Sequence, residues 1–345
     1  MDIVRIKASK DYNVYIGAGL IDEAGKIIRD TAGGSKACII TDSNVDKFYS
    51  EKVTKQLEDN GYEVLKFVFP AGEESKHLGT LAEILSFMAQ NHLSRKDIAV
   101  ALGGGVVGDI TGFSAACYMR GIKFVQIPTT VLAAVDSSVG GKTAVDLPEG
   151  KNLAGAFYQP ETVICDTDTF GSLPERDYNN GFAEIIKYGM IRDEKIFDML
   201  DGHVSDIVKR CVEIKADVVE EDEFEGGVRQ ILNFGHSIGH AVEKASDFSL
   251  LHGEAVAIGM VRICDIAIAE GKCDKATRDI LVDALKKYKL PTCGDYAPDT
   301  ILEIMRSDKK ADGATINLIM PVKPGTVNIE KTGIEEVGRL LKLGE

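Results

Sequence analysis

Three of the chain's six histidines, His236, His240 and His252, lie close together. His236 and His240 stand at i and i+4, which puts both imidazoles on one face of a helix. His252 opens the next helical stretch, after a loop from Asp247 to Leu251. Two neutral imidazoles from this set, joined by a carboxylate from a third element, make a catalytic zinc site that keeps a position open. Glu184, in Gly181-Phe182-Ala183-Glu184-Ile185-Ile186-Lys187-Tyr188-Gly189, is the candidate carboxylate. An isolated pair at this spacing is more often two surface histidines. Here the stretch Leu232 to Val242 is poor in charge, and Gly235, Ser237 and Gly239 allow close packing. The histidines are therefore expected to be buried, and buried imidazoles need partners.

A second chemical feature is Gly103-Gly104-Gly105-Val106-Val107-Gly108-Asp109, which follows an apolar strand and opens a helix. Glycines let a backbone approach a pyrophosphate, and the amides at a helix N-terminus favour negative charge. The string matches G-x-G-x-x-G. It departs from the usual dinucleotide fingerprint, because it is not in the first βαβ unit and no acid lies about 20 residues on. Asp42, at the end of an earlier strand, can supply the carboxylate that accepts from ribose hydroxyls, and its charge favours NAD over NADP. A lone acid at that position is otherwise a turn or helix cap. Arg120, Lys142, Lys151, Lys187, Lys215, Arg229 and the pair Lys309-Lys310 lie in apolar or glycine-rich contexts, with Thr129-Thr130 among them. Any one of them is ordinarily solvated; together they suggest local recognition of phosphate and carboxylate.

The elements that must position these residues change character along the chain. Strand-like runs at Lys36 to Ile40, Tyr62 to Phe69, Asp97 to Leu102 and Lys123 to Ile127 alternate with helical stretches at Asn44 to Asn60 and His77 to Gln90. That alternation predicts parallel βαβ units in a doubly wound sheet. From Leu173 to about Tyr288 the periodicity is helical, including Phe182 to Met190, Val204 to Val219, Ile231 to Ala245 and Gly253 to Ala269. Thr315 to Pro321 reads as a short hairpin strand. Gly140 to Thr143 and Gly150 to Asn152 read as loops. The fold class is thus a doubly wound α/β domain, residues 1–170, which holds the candidate NAD turn, followed by an all-α or mostly helical domain, residues 171–345, which holds the candidate metal ligands.

Composition limits the partners. The net charge of -14 would repel a phosphate backbone, so nucleic acid is not expected. No apolar run is long enough to span a membrane and no signal peptide is evident, so a cytoplasmic protein is expected. The seven cysteines include no CxxC and read as scattered apolar residues rather than metal ligands.

In sum, the motifs resemble those of one family. The glycine turn, Pro128-Thr129-Thr130, Val135 to Lys142, Gly150 to Pro160, Ala183 to Gly189, Asn233 to His240 and Leu251 to Val256 are similar to 3-dehydroquinate synthases, in the same order from about Thr41 to Pro321. The resemblance implies an NAD-binding α/β domain and a helical metal domain, with zinc or cobalt held by Glu184, His236 and His252. His240 is then a catalytic or substrate-contacting residue instead of a ligand. Asp136, Lys142, Asn152, Lys187, Lys215, Arg229 and Asn233 match substrate positions, and Arg120 and Lys309 or Lys310 match phosphate and neighbouring-subunit contacts. Asp42, Asn44, Glu73, Lys76, Gly105, Val106, Val107, Gly108, Asp109, Thr129, Thr130, Lys142, Lys151, Thr169, Phe170, Gly171 and Ser172 match cofactor contacts. Two positions depart from the pattern: Phe224 stands where the family usually has Arg, and Ala71 replaces a common acid or proline.

The activity implied is conversion of 3-deoxy-arabino-heptulosonate 7-phosphate to 3-dehydroquinate, in the shikimate pathway of aromatic amino acid biosynthesis, by a homodimeric lyase. Transient oxidation by NAD acidifies a C–H, phosphate leaves, the hydride returns, and the ring opens and closes by an intramolecular aldol reaction. The competing expectations are a sister sugar-phosphate cyclase and a metal-dependent polyol dehydrogenase of the glycerol dehydrogenase type.

Overall fold

The computed structural model describes residues 1–308 and 315–343 of the 345-residue chain. Two compact units emerge: Met1–Leu173 with Val204–Phe224, and Pro174–His203 with Glu225–Glu345.

In the first unit the strands are β1 (Asp2–Ile6), β2 (Tyr12–Gly17), β3 (Lys36–Asp42), β4 (Glu63–Phe69), β5 (Ile98–Gly103), β6 (Lys123–Pro128), β7 (Lys142–Leu147), β8 (Gly150–Phe157) and β9 (Thr162–Asp166). Seven of them form one sheet in the order β1-β2-β9-β6-β5-β3-β4. Only β1 and β2 pair antiparallel in it; the remaining neighbours are parallel. A parallel sheet is covered on both faces, so its central strands are continuous apolar runs. Thus β5 is buried at every residue. Helices α1 (Ala24–Ala32), α2 (Glu51–Asp59), α3 (Leu78–Gln90) and α4 (Gly105–Cys117) flank the strands. Two apolar clusters result, one containing Ile28, Leu57, Val100 and Ile127, the other Ile84, Ala101, Ile110 and Phe124.

The segment expected as one helix from Asn44 to Asn60 is a π-helical turn at Asp46–Ser50 that runs into α2. The glycine-flanked segments read as loops are instead an antiparallel hairpin: β7 and β8 pair from Lys142 with Phe157 to Leu147 with Gly150, with a register shift between Val145 and Leu147.

Helices α5 (Glu175–Ile191), α6 (Ile196–Met199), α8 (His236–Ala245), α9 (His252–Ala269), α10 (Lys275–Lys287), α11 (Pro298–Asp308) and α12 (Ile334–Leu343) make up most of the second unit. A hairpin of β10 (Thr315–Lys323) and β11 (Thr326–Gly333) completes it. The helix α7 (Val204–Glu221) packs in the first unit, against β1 among others, and buries Ile207, Cys211, Ile214 and Val218. The helical reading from Ile231 to Ala245 is broken: a 3-10 turn, Val228–Asn233, precedes α8, and Gly235 between them has φ 77, a left-handed conformation.

Candidate metal centre and cofactor site

Glu184 lies on α5, where every residue from Gly181 to Ile191 is buried. His236 is the first residue of α8 and His252 the first of α9. These two helices cross backbone to backbone. A Cβ on Gly259 of α9 would lie 2.1 Å from the Gly235 carbonyl oxygen, and one on Gly239 of α8 would lie 2.9 Å from the Val256 Cα. The start of α9 is fixed by two contacts. Gly253 N donates to Asn180 Oδ1 at 2.7 Å, and Leu251 N donates to Glu254 Oε2 at 2.8 Å. Arg176 holds the Glu254 carboxylate through two nitrogens, at 2.7 and 2.6 Å.

The result is three donor atoms, from Glu184, His236 and His252, all within 4.8 Å of one another. Glu184 Oε1 is buried with no hydrogen-bond partner, 3.4 Å from His236 Nε2 and 3.5 Å from His252 Nε2. Those separations are too long for good hydrogen bonds. Donor atoms bound to one zinc at roughly 2.0–2.2 Å, at tetrahedral angles, stand about 3.4 Å apart. The spacing and the orphaned oxygen therefore fit a divalent ion.

The tautomers fit as well. His236 Nδ1 is 3.1 Å from the Phe234 carbonyl oxygen, which can only accept, so the proton sits on Nδ1 and Nε2 keeps its lone pair. Burial would raise the Glu184 carboxyl pKa, but Lys187 and then His236 outweigh it and hold the group well below the ordinary carboxylate range. Lys187 is ion-paired with Glu184 Oε2 and is itself buried. Burial pushes the His236 pKa down, towards the neutral ligand. Burial acts the same way on His252, but Glu184 and Glu243 outweigh it and push its pKa up to about 9.

His240 shares the cluster, with its ring centroid 5.4 Å from that of His236 and 5.8 Å from that of His252. It is not among the three convergent donors. The expectation of burial holds for His236 alone. His240 is exposed and His252 is one-third exposed, because the small residues of this stretch serve the backbone crossing of α8 on α9 and leave the other edge of the rings open.

Within the first unit a second group converges. Lys76 Nζ donates to Asp109 Oδ2 and to Asn152 Oδ1, both at 2.6 Å, and Lys151 pairs with Glu73 at 3.3 Å. Asn152, at φ 56, donates its amide to Asp146 Oδ1 at 2.7 Å. Asn152, assigned to substrate by resemblance, thus stands with residues assigned to cofactor, and Asp146 joins them without a motif having marked it. The turn Gly103–Gly105 leads into α4, whose N-terminus has no side-chain cap, so its first amides are available to an anion. Beside it Thr129 donates its amide to the Gly103 carbonyl at 3.0 Å, while its buried hydroxyl has no hydrogen-bond partner. Uncapped amides and an orphaned hydroxyl fit a phosphorylated cofactor.

Asp42 Oδ1 accepts from Asn44 N at 2.8 Å and Val45 N at 3.0 Å, so it caps its own turn. Ser172 and the Thr169 carbonyl accept around the Tyr49 hydroxyl, at 2.7 and 3.0 Å. Lys215 of α7 donates to the Asp136 backbone carbonyl at 2.6 Å and pairs with its carboxylate. In the second unit Arg229 is buried, and Asn233 Nδ2 donates to Glu225 Oε1 at 2.8 Å. Lys142 and Arg120 are exposed, the latter at φ 67. Lys309 and Lys310 lie outside the described residues.

Residues 66–180 match the family described as 3-dehydroquinate synthase N-terminal, and residues 181–311 that described as 3-dehydroquinate synthase C-terminal. The chain belongs to the 3-dehydroquinate synthase family. It is 44% identical over 343 residues to the 3-dehydroquinate synthase of Clostridium acetobutylicum, covering 96% of each chain. It is 45% identical over 326 residues to that of Acetivibrio thermocellus, covering 91% of this chain and 90% of the other. Among solved structures, 2-deoxy-scyllo-inosose synthase complexed with carbaglucose-6-phosphate, NAD+ and Co2+ matches with a TM-score of 0.90 and 26% identity, over 100% of both chains. A 2-epi-5-epi-valiolone synthase from Streptomyces hygroscopicus with NAD+ and Zn2+ matches with a TM-score of 0.88 and 26% identity, over 100% of this chain and 99% of the other. The glycerol dehydrogenase of Schizosaccharomyces pombe shares the fold, with a TM-score of 0.66 at 17% identity over 99% and 90%. Among the described residues no helix is long and apolar enough to cross a membrane.

Proposed function

We propose that this chain is a 3-dehydroquinate synthase. It converts 3-deoxy-arabino-heptulosonate 7-phosphate to 3-dehydroquinate and phosphate, as a carbon–oxygen lyase with NAD and zinc or cobalt, and acts as a cytoplasmic homodimer. Beside family membership, the observation that carries the reading is the orphaned Glu184 Oε1 set 3.4 and 3.5 Å from two imidazole nitrogens.

When bound, NAD takes and returns a hydride and the divalent ion polarises the oxygen on the reacting carbon. The chain's own residues prepare that chemistry. Lys187 keeps Glu184 ionised, and the Phe234 carbonyl keeps the His236 proton on Nδ1. We assign the binding of substrate carboxylate and phosphate to Lys142, Lys187, Lys215, Arg229 and Arg120, with Asn152 and Asn233 as hydrogen-bonding groups and Asp136 holding Lys215. Fixing the ring in one pose lowers the entropic part of the barrier. We assign to His240 the proton of the substrate hydroxyl: it adjoins the donor set, and its exposure lets it exchange that proton with solvent. The departing phosphate dianion serves as its own base.

The test is incubation with the heptulosonate phosphate, zinc and trace NAD. Phosphate release in large excess over NAD, with no accumulation of NADH and with 3-dehydroquinate as product, is expected. NADH accumulating with a simple polyol would instead establish a polyol dehydrogenase, and a different carbocycle a sister cyclase. Glu184→Ala should lose zinc. His240→Ala should keep zinc and lose about 10²–10⁴-fold in turnover; near-normal turnover with zinc bound refutes that role.

A further inference from the structure

We infer that Glu243 is a positioning residue of the metal centre, holding His252 by its Nδ1 side so that Nε2 faces the ion. The inference rests on the metal-centre reading above and adds a residue to it. Glu243 lies on α8 at i+7 from His236, which returns it to the same face of the helix. Its carboxylate is buried, and burying a carboxylate is costly without a partner. Its Oε2 lies 3.7 Å from His252 Nδ1, while the other nitrogen of that ring lies 3.5 Å from Glu184 Oε1. The two nitrogens of His252 are thus divided between two carboxylates. Because Glu243 stands at the ring edge away from Glu184, it is not among the three convergent donors.

His236 supplies the comparison within the same site. Its Nδ1 is anchored by the Phe234 carbonyl at 3.1 Å, and its Nε2 is turned to Glu184. His252 opens its helix and is one-third exposed, so its ring needs a comparable anchor, and Glu243 is the carboxylate facing that nitrogen at ion-pair distance. A carboxylate there also fixes the proton on Nδ1 and raises the basicity of the ligating nitrogen. Charge argues the same way. Lys187 already balances Glu184, so a divalent ion in this buried setting gains its anionic balance from Glu243.

Three measurements on the full chain test this: zinc affinity by chelator competition, the visible absorption of the Co2+-loaded protein, and thermal unfolding of the metal-free protein. Glu243→Gln keeps the shape and removes the charge. It should weaken zinc binding about 10–100-fold and alter the Co2+ spectrum, while the metal-free protein still unfolds in one cooperative transition. Wild-type zinc affinity and an unchanged Co2+ spectrum in Glu243→Gln overturn the inference, as does a lower melting temperature with unchanged affinity in the folded protein. Should Glu243→Ala fail to fold, Glu243→Gln still gives the answer. The two failures are separable: if Glu184→Ala binds zinc like the wild type, the metal-centre reading itself falls, whereas loss of zinc in Glu184→Ala alone overturns only the role of Glu243.

Discussion

Replacing Gly259 by alanine should damage the metal centre without touching a ligand. The added Cβ would lie 2.1 Å from the Gly235 carbonyl oxygen and 2.7 Å from Gly239 N. Those two atoms form the 2.8 Å hydrogen bond that closes the first turn of α8, the turn that begins with His236. Ordinary contact begins at 3.4 Å, so relief of the clash needs a separation of 3.4 − 2.1, or 1.3 Å, between two backbones. No flexible side chain stands there to absorb it. A coordination site tolerates changes of roughly 0.2 Å in its bonds. Moving α8 off α9 separates the helices that carry His236 and His252, so zinc affinity should fall at least about tenfold, equivalent to about 1.4 kcal/mol. Overpacking should also remove about 1–3 kcal/mol from stability. Gly226→Ala serves as the control, because a Cβ there meets nothing within 4 Å. Zinc affinity by chelator competition and urea unfolding of the metal-free protein read the two effects separately. If Gly259→Ala binds zinc as tightly as the control, the helix crossing does not set the ligand geometry and the reasoning fails.

Two further expectations concern pH. The His252 pKa is raised from 6.5 to about 9 in the metal-free site, so a proton must leave before Nε2 can ligate. Zinc affinity should therefore climb from pH 6.5 to about 9 and then level off, with proton release measurable by calorimetry in buffers of different ionisation enthalpy. The metal-free protein should lose stability over the same interval, because a raised pKa stabilises only while the group is protonated. Asp97 has the opposite sign. Burial raises its pKa, but donors from Ser94, Lys36 and Ser35 outweigh that and hold it below the ordinary 3.8. Its contribution is present above that value and disappears as pH falls through the folded-state pKa. Asp97→Asn should cost about 1–3 kcal/mol at neutral pH, a gap that urea unfolding should find narrowing in acid; a gap independent of pH refutes the assignment.

The central strands were legible because a parallel sheet buries both faces and leaves an unbroken apolar signature, as in Ile98 to Gly103. The β7–β8 hairpin was not, because its small residues and flanking glycines carry no such signature and the two strands pair mainly with each other. The donor set was reachable from residue types and the i,i+4 spacing, but not the choice between His236 and His240. That choice depends on the left-handed turn at Gly235, which sets where α8 begins. The same small residues that suggested buried histidines turned out to seat a helix backbone. Glu243 carried a usable signal, an acid at i+7 on the face of the histidines. Asp146 carried none, since its partner Asn152 lies across a hairpin that the sequence did not reveal. Helix α7 was read correctly as a helix, yet nothing in its periodicity says that β1 is its neighbour.

That placement of α7 bears on how the protein is made. The first unit needs Val204–Phe224 to cover β1, but Pro174–His203, which belong to the other unit, are synthesised before it. A nascent chain that has released only Leu173 therefore holds a sheet with one apolar flank still bare, and must wait for a later segment to close it. A fragment cut at that point should be sticky and poorly soluble, and supplying α7 as a separate peptide should rescue it.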